Sequence, residues 1–159
     1  MTTKADPAAL RAKFWTELGE SPFLFLQRTG DSASAVPMSP QLDKHANSAI
    51  WFFTHKNSAF AALGPVTATF ASKGHDLFAS FTGTLSVETS QERFDQFWNN
   101  FVKAWYEGGK EDPNLLFVRM DLGDAEIWDG DMSLINVAKM ALGMNVHDSA
   151  EKRHVETTL

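Results

Sequence analysis

The 159-residue sequence contains no cysteine, which excludes disulfide bonds, thiolate nucleophiles and thiolate metal ligands. It also lacks an excess of basic residues. Its net charge of −6 argues against non-specific binding to nucleic acid, which needs a basic surface. No stretch approaches the roughly 20 apolar residues of a membrane span, and the first residues lack the apolar core of a signal peptide. We therefore expect a cytoplasmic protein that binds neither nucleic acid nor membranes.

Recognisable catalytic and metal-binding motifs are absent as well. The five histidines show neither an HExxH motif nor another paired ligand spacing, so the sequence predicts no metal site. No serine lies in a nucleophile-elbow motif, and no Ser/His/Asp set is legible. What the chain does contain is 43% hydrophobic and 12% aromatic residues, the composition of one folded domain with a sizeable core.

Several stretches have the alternating or continuous apolar pattern of β-strands and are bounded by turn residues. Pro37 confines the second stretch to a sheet edge, a strand start or a bulge. Gly83, in the middle of the fifth, indicates a bulge, a sharp bend or the close approach of a ligand. Gly123 and Asp124 separate the last two stretches, which we expect to form a hairpin. The predicted strands cover residues 21–27, 34–39, 49–54, 66–70, 77–88, 115–122 and 125–128.

Three helices are predicted around these strands. The first has Asp6 as its N-cap and Pro7 at its first helical position. The second begins at a capping box over 89–92, and the third covers 132–142. From residue 145 the chain is polar, and we expect it to fray. The second helix has an aromatic face that is most simply core, made of Phe94, Phe97, Trp98, Phe101 and Trp105.

The order of these elements predicts a mainly β protein with helices (α+β), in which a β-barrel carries peripheral helices. Its most informative stretch is 49–58, AIWFFTHKNS, where a continuous apolar run stops at hydroxyls, an imidazole and an ammonium. Asn57 or Ser58 is placed to cap a short helix there. Hydroxyls, a cation and free backbone N–H groups suit a phosphate. The alternative interpretation is a strand that ends in a polar turn.

Two further features have two interpretations each. Gly74-His75-Asp76 is either a hairpin turn or a turn whose carboxylate orients the imidazole for proton transfer. Trp128 ends a strand beside a polar loop. It is either a half-buried plug or a flat wall against which a planar ligand packs.

The order of elements and several residue strings resemble the pyridoxamine 5′-phosphate oxidase-like FMN-binding split barrels, most closely their bacterial general stress protein branch. The resemblance covers roughly residues 7–143. It is carried by Val36-Pro37-Met38, by 50–58, by 72–77 leading to Gly83, by Trp105-Tyr106-Glu107-Gly108-Gly109, by Asp112-Pro113 and by Ala125-Glu126-Ile127-Trp128.

The resemblance implies a split β-barrel of six to seven antiparallel strands with peripheral helices. The FMN-binding domain would cover 1–144, and 145–159 would form a polar C-terminal tail. It also implies a homodimer with FMN at the interface, the phosphate being held by Thr54, Lys56 and Ser58. Trp128 would reach the flavin from the partner subunit. The full set of implied cofactor-binding residues is Pro37, Met38, Ser39, Phe53, Thr54, His55, Lys56, Ser58, Lys73 and Trp128.

This sequence departs from the family pattern at functional positions. Val36 stands where an arginine usually pairs with the phosphate, and Ser58-Ala59-Phe60 lacks the cations of the vitamin B6 oxidases. Leu134 and Asn136 match the positions where those oxidases carry arginine and histidine for the vitamin. Leucine cannot pair with a phosphate, and asparagine does not titrate near neutral pH. The sequence therefore predicts no vitamin B6 oxidase activity.

Three functions remain open from the sequence. The first is an FMN-dependent oxidoreductase of general stress type, with His75 as a candidate proton donor and the hydride or electron chemistry supplied by the flavin. The second is a non-catalytic module that stores or senses flavin. The third is a barrel that accepts another cofactor, such as haem, pyridoxal phosphate or a deazaflavin.

Overall fold

The computed structural model describes residues 6–46, 48–130, 134–144 and 154–159, with the backbone alone at 134–137. In this part of the chain, seven antiparallel strands form one curled sheet, and four α-helices lie around it. The predicted fold class, an α+β split barrel of six to seven antiparallel strands with peripheral helices, is confirmed.

The strands are β1 (Leu24–Arg28), β2 (Val36–Met38), β3 (Ala49–His55), β4 (Gly64–Ala71), β5 (Leu77–Val87), β6 (Leu115–Asp129) and β7 (His154–Thr158). The α-helices are α1 (Pro7–Glu20), α2 (Gln91–Phe97), α3 (Asn100–Lys103) and α4 (Leu134–Ala141). Short 3₁₀ helices cover Ala59–Ala62 and Gly109–Glu111. Among the described residues, none of the helices has both the length and the hydrophobicity of a transmembrane span.

The strands follow the order β2-β1-β4-β5-β6-β3 across the sheet. β7 pairs with β6 over 124–128, next to the part of β6 that pairs with β3 over 115–121. One edge of β6 is therefore shared by two strands. β2 lies at the end of the order, so Pro37 lies on an edge strand, one of the three positions that the sequence left open for it.

Helix α1 fills the concave side of the sheet. Leu10, Phe14 and Leu18 recur at helical spacing and are buried. The ring of Phe14 meets the rings of Phe70 and Phe81 edge to face, with centroids 6.0 and 5.3 Å apart. The N-cap carboxylate accepts from the Ala8 N–H at 3.0 Å, as the sequence predicts. Burial of these side chains is the main stabilising term on this side.

A second aromatic cluster lies on the outer side of β3 and β6, under α2. Trp51 is fully buried there against Phe97, and its indole N–H donates to the Glu88 carboxylate at 2.9 Å. The Arg93 guanidinium lies 4.6 Å over the Trp51 ring and also pairs with Asp43. These contacts fix α2 and the loop before β3 on the sheet.

The second predicted helix is broken, which corrects two expectations. Trp98 is extended at ψ 128, and Asn99 caps a new helix through its side-chain oxygen, 3.0 Å from the Val102 N–H. The break turns Phe101 and Trp105 outward, with 85% and 76% of their surface exposed. The expectation that these two aromatics are core is therefore wrong, because asparagine caps a helix better than it continues one.

The predicted hairpin at Gly123-Asp124 is also wrong. β6 runs without interruption for 15 residues, and its register against β5 shifts between Phe81↔Ala125 and Gly83↔Leu122. Gly123 and Asp124 form a bulge, which inserts extra residues in a strand rather than reversing it. A Cβ on Gly83 would lie 2.6 Å from the Asp121 carbonyl oxygen, so the close neighbour of this glycine is β6 itself.

The end of the chain differs from the expected frayed segment. Residues 154–158 form β7, and the buried side chains of Val155 and Leu159 attach this strand to the core. The alternation of apolar and polar residues explains the strand. Residues 145–153 lie outside the described ranges, and the division into a domain over 1–144 and a tail stays a prediction.

Candidate functional site

A cavity of about 540 Å³ opens beside β2 and the end of β3. Its other walls are the 3₁₀ turn at 58–60 and the segment 99–106, which contains the break after α2. The volume lies within the range of small-molecule and cofactor sites, about 300–1,000 Å³. Of the predicted cofactor-binding residues, those that line this cavity are Pro37, Met38, Ser39, Phe53, Thr54, His55 and Ser58.

The polar end of the cavity is formed where β3 stops. Thr54 is buried, and its hydroxyl donates to the Ser58 hydroxyl oxygen at 3.0 Å. Among the described residues, no acceptor takes the remaining hydroxyl proton of Ser58. That proton is available to a ligand oxygen at the cavity surface. Ser58 also holds the N-cap position of the predicted short helix, without a side-chain capping bond.

His55 and Tyr106 form one wall of this end. Their rings lie 4.8 Å apart, and the side-chain amide nitrogen of Asn114 is 3.0 Å from Nδ1 of His55. An amide nitrogen can only donate, so Nδ1 accepts and the neutral imidazole carries its proton on Nε2. The Tyr106 hydroxyl donates to the Thr54 carbonyl at 2.9 Å. Burial, followed by the nearby Asp112 carboxylate, raises the pKa of Tyr106 to about 12, so its proton stays in place near neutral pH.

The turn after β3 is held by Asp112 and Asn114. The Lys56 N–H donates to the Asn114 carbonyl at 2.8 Å, and the Asp112 carboxylate accepts from the N–H groups of Gly108 and Asn114. These two backbone N–H groups lower the pKa of Asp112, with desolvation opposing them and His55 adding a small electrostatic contribution. These hydrogen bonds therefore hold in place the turn that forms the polar end of the cavity.

Aromatic and apolar groups form the rest of the cavity. Met38 comes from β2 and Phe53 from β3, while Phe101 and Trp105 stand exposed at the opening. β2 is placed beside β3 by a bridge in which Gln41 and Trp51 exchange backbone hydrogen bonds of 2.7 and 3.0 Å. A planar, largely apolar ligand body fits between such walls.

The remaining predicted residues lie elsewhere. Lys56 is exposed on the turn after β3 and does not line the cavity. Lys73 and His75 are exposed in the turn between β4 and β5. Trp128, 38% exposed, pairs in register with Phe78 near the opposite end of β6 from the cavity. Within one chain, therefore, the structure does not bring Lys73, His75 and Trp128 to this cavity.

Further cavity residues had no site role in the sequence reasoning: Gln41, Phe60, Asn99, Phe101, Val102, Trp105 and Tyr106. The sequence assigns Phe101 and Trp105 to a helix face in the core, and Tyr106 only to the family pattern. One signal in the sequence could have found them. Asn99 and Asn100 interrupt the apolar periodicity, and an asparagine pair inside a helix marks a new N-cap.

Comparison with protein-family descriptions matches residues 10–150 to the family "Pyridoxamine 5'-phosphate oxidase like". A general stress FMN/FAD-binding protein from Xanthomonas citri has a crystal structure that is similar, with 42% identity and a TM-score of 0.73 over 80% of this chain and 93% of that one. A general stress family protein from Xanthomonas campestris is also 42% identical, with a TM-score of 0.72 over 82% and 93%.

General stress protein 26 from Jannaschia sp. CCS1 aligns over 97% of this chain and 100% of its own, with 28% identity and a TM-score of 0.76. The search of curated proteins found no match.

Proposed function

Because this chain belongs to the pyridoxamine 5′-phosphate oxidase-like family, we propose that it binds FMN in the cavity at the end of β3. The single observation that carries the proposal is the coincidence of two features there. The Ser58 hydroxyl, whose proton has no acceptor among the described residues, lies at one end of the cavity. Apolar and aromatic side chains form its other walls. That pairing fits a phosphorylated cofactor with a planar ring system. The similarity to the general stress FMN/FAD-binding protein from Xanthomonas citri also supports the proposal.

At the polar end, Ser58 donates to the phosphate and Thr54 orients the Ser58 hydroxyl. Lys56, which has no ion-pair partner within the described ranges, supplies positive charge from the same turn. Hydrogen bonds to charged groups contribute about 1.5–3 kcal/mol each, so this small set can favour a phosphorylated ligand. Val36 also lines the cavity, but its side chain has no charge that could pair with the phosphate.

At the apolar end, Met38 and the edge of β2 run along the ring system, and Phe53 and Trp105 provide flat contact surfaces. Because β2 is an edge strand, one side of its backbone is free of sheet hydrogen bonds and can meet polar ring atoms.

We further propose that two chains form the complete site. Phe101 and Trp105 expose an apolar surface at the cavity mouth, and such surfaces mark association sites. A C₂ partner could bring Lys73 and Trp128 to the cofactor, which the single chain does not do. His75 lies in the same turn as Lys73 and would approach the cofactor with it.

Bound FMN would supply hydride and electron transfer, and on this basis the protein is proposed to be an FMN-dependent oxidoreductase of general stress type. A non-catalytic flavin-binding module is favoured by a specific observation. Of the described residues that line the cavity, His55 and Tyr106 are the ionisable ones, and Tyr106 does not titrate near neutral pH. Few groups therefore remain to recognise a polar substrate or move a proton.

Titration of cofactor-free protein with FMN and with riboflavin tests the binding proposal. We expect flavin fluorescence to change saturably, with FMN bound more tightly than riboflavin because riboflavin lacks the phosphate. Equal affinity for the two flavins, or no binding, would contradict it. Competition by haem, pyridoxal phosphate or a deazaflavin would instead assign another cofactor. Reduction by NADH or NADPH followed by reoxidation in air separates an oxidoreductase from a module, which leaves bound flavin unreduced.

A further inference from the structure

A group of three metal-ligating side chains lies on the outer face of the β6–β7 pair, away from the cavity. The register places Glu126 directly opposite Glu156, and Trp128 directly opposite His154. Successive residues of a strand alternate between faces, so Glu126 and Trp128 share one face with Glu156 and His154. One carboxylate oxygen of each glutamate and a ring nitrogen of His154 all lie within 4.8 Å of one another.

The charges in this group lack a counterpart. Two carboxylates directly opposite each other on one sheet face repel. Across the described part of the chain, no lysine or arginine forms an ion pair with Glu126 or Glu156. A cation between the two strands would remove the repulsion and use both oxygens.

His154 provides an independent observation. Its Nε2 atom is inaccessible to solvent and has no hydrogen-bond partner in the described structure. A buried polar nitrogen without a partner is unfavourable, whether it is the donor or the acceptor of the ring. The ring is held in place by stacking on Trp128, with centroids 5.1 Å apart and planes at 17°. A metal ion held with the two carboxylates would give the ring of His154 a polar partner.

We propose that Glu126, His154 and Glu156 form a binding site for a divalent first-row transition metal, with zinc as the reference ion. The donor set decides the class. Imidazole nitrogen together with carboxylate oxygen suits zinc, manganese or ferrous iron, whereas calcium and magnesium take oxygen ligands. Ligands about 2.0–2.2 Å from one zinc ion are roughly 3–4 Å apart, so a small rotation of the exposed glutamates completes the site.

The site has room for a further ligand. A surface cleft of about 490 Å³ lies beside it and is lined by Ser80, Thr82, Glu126 and Glu156, among others. Three protein ligands leave a tetrahedral zinc one open position, which water or a small anion can take from this cleft. The metal also ties β7 to β6 and fixes the indole that stacks on its histidine ligand. The proposal requires no flavin.

Isothermal titration of the untagged, chelator-stripped chain with zinc chloride tests the site. We expect one zinc ion per chain with a Kd below about 10 μM, and a melting temperature that rises when zinc is added. Glu126→Gln, Glu156→Gln and His154→Phe should each weaken binding by at least about tenfold, since even outer-shell changes cost about 10- to 100-fold. His154→Phe keeps an aromatic ring against Trp128 and removes only the nitrogens.

Glu107→Gln is the matched control. Glu107 is exposed and makes no ion pair or side-chain hydrogen bond in the described structure, so its change should leave zinc affinity unaltered. Without zinc, the two glutamine variants at the site should melt at or above the wild-type temperature, because they remove repulsion. No zinc binding at about 100 μM, or equal binding by the wild type and the two glutamine variants, would overturn the proposal, even if His154→Phe failed to fold.

Discussion

Ser58 is the residue on which the phosphate end of the proposed flavin site depends. Its hydroxyl receives one hydrogen bond from Thr54 and keeps its own proton for a ligand. The anion-binding character of this turn could be predicted from the sequence, because a strand that ends in hydroxyls and a cation is typical of an anion site. The arrangement of these residues could not be predicted, because Asn114 and Tyr106, which hold the turn in place, lie far along the chain.

Ser58→Ala should weaken FMN binding by about 10- to 100-fold, the equivalent of one hydrogen bond to a charged group. Riboflavin binding should change little, because the phosphate is absent. Fluorescence titration of both flavins measures the two effects. Ser86→Ala, on the exposed side of β5, is the matched control and should leave both affinities unchanged. An equal loss for FMN and riboflavin would count against phosphate contact at Ser58.

The proposed metal ligands Glu126, His154 and Glu156 show a second limit of what the sequence can predict. Sequence rules for metal sites recognise an HExxH motif or paired ligand spacings, and the five histidines show neither. Glu126 and His154 meet only because β7 pairs with β6. A sequence pattern cannot supply that register.

At the scale of elements, local patterns predicted most strands and the first helix. The same patterns gave wrong predictions at two junctions, where one sequence motif is compatible with two different structures. Gly123-Asp124 suits a hairpin as well as a bulge, and β5 pairs with β6 on both sides of these residues, which decides for the bulge. The helix break at Asn99 likewise depends on where α2 packs against Trp51.

Gly83→Ala should lower the free energy of unfolding by about 1–3 kcal/mol, because the new methyl group would overlap the Asp121 carbonyl of β6. Gly19→Ala is the matched control. Its Cβ meets nothing within 4 Å in α1, so it should raise stability by up to about 1 kcal/mol. Urea unfolding of both variants gives the comparison. Equal effects would show that the close approach at Gly83 does not constrain the sheet.

Asp43 should make the loop before β3 sensitive to acid. The His45 backbone N–H, Gln96 and Arg93 together lower the pKa of Asp43 to about 2 from an ordinary 3.8. Because the folded-state pKa is depressed, this stabilisation is complete above pH 3.8 and is lost as the pH falls towards about 2.

Melting temperatures measured between about pH 2 and 5 should therefore fall less steeply for Asp43→Asn than for wild type, because the variant has no carboxylate to protonate. Glu107→Gln, a change at an exposed and unpaired carboxylate, should keep the wild-type slope. Parallel curves for wild type and Asp43→Asn would contradict a stabilising role of Asp43 in this loop.

For the molecule as a whole, the family resemblance predicted the fold. The predicted site residues, however, do not all come together within a single chain. Lys73 and Trp128 lie away from the cavity, and Phe101 and Trp105 stand exposed at its mouth. Apolar periodicity marks a surface to be covered but not whether the same chain or a second one covers it. That is why these aromatics were mistaken for core.

Trp105→Ala should convert a wild-type dimer into monomers and reduce FMN affinity by at least about tenfold, since an exposed aromatic at an association surface is a typical hot spot. Sedimentation and flavin titration measure the two effects, and circular dichroism should show the fold intact. Leu142→Ala is the control, because Leu142 is 77% exposed in the segment after α4 and does not line the cavity. A monomeric wild-type chain that still binds FMN would exclude the two-chain site.

The most direct measurement is a crystal structure of the protein grown with excess FMN. We expect a phosphate within hydrogen-bonding distance of the Ser58 hydroxyl, a ring system along β2, and Trp128 of the partner subunit beside it. A structure in which this cavity stays empty, or in which FMN occupies another surface, would exclude FMN binding at the end of β3.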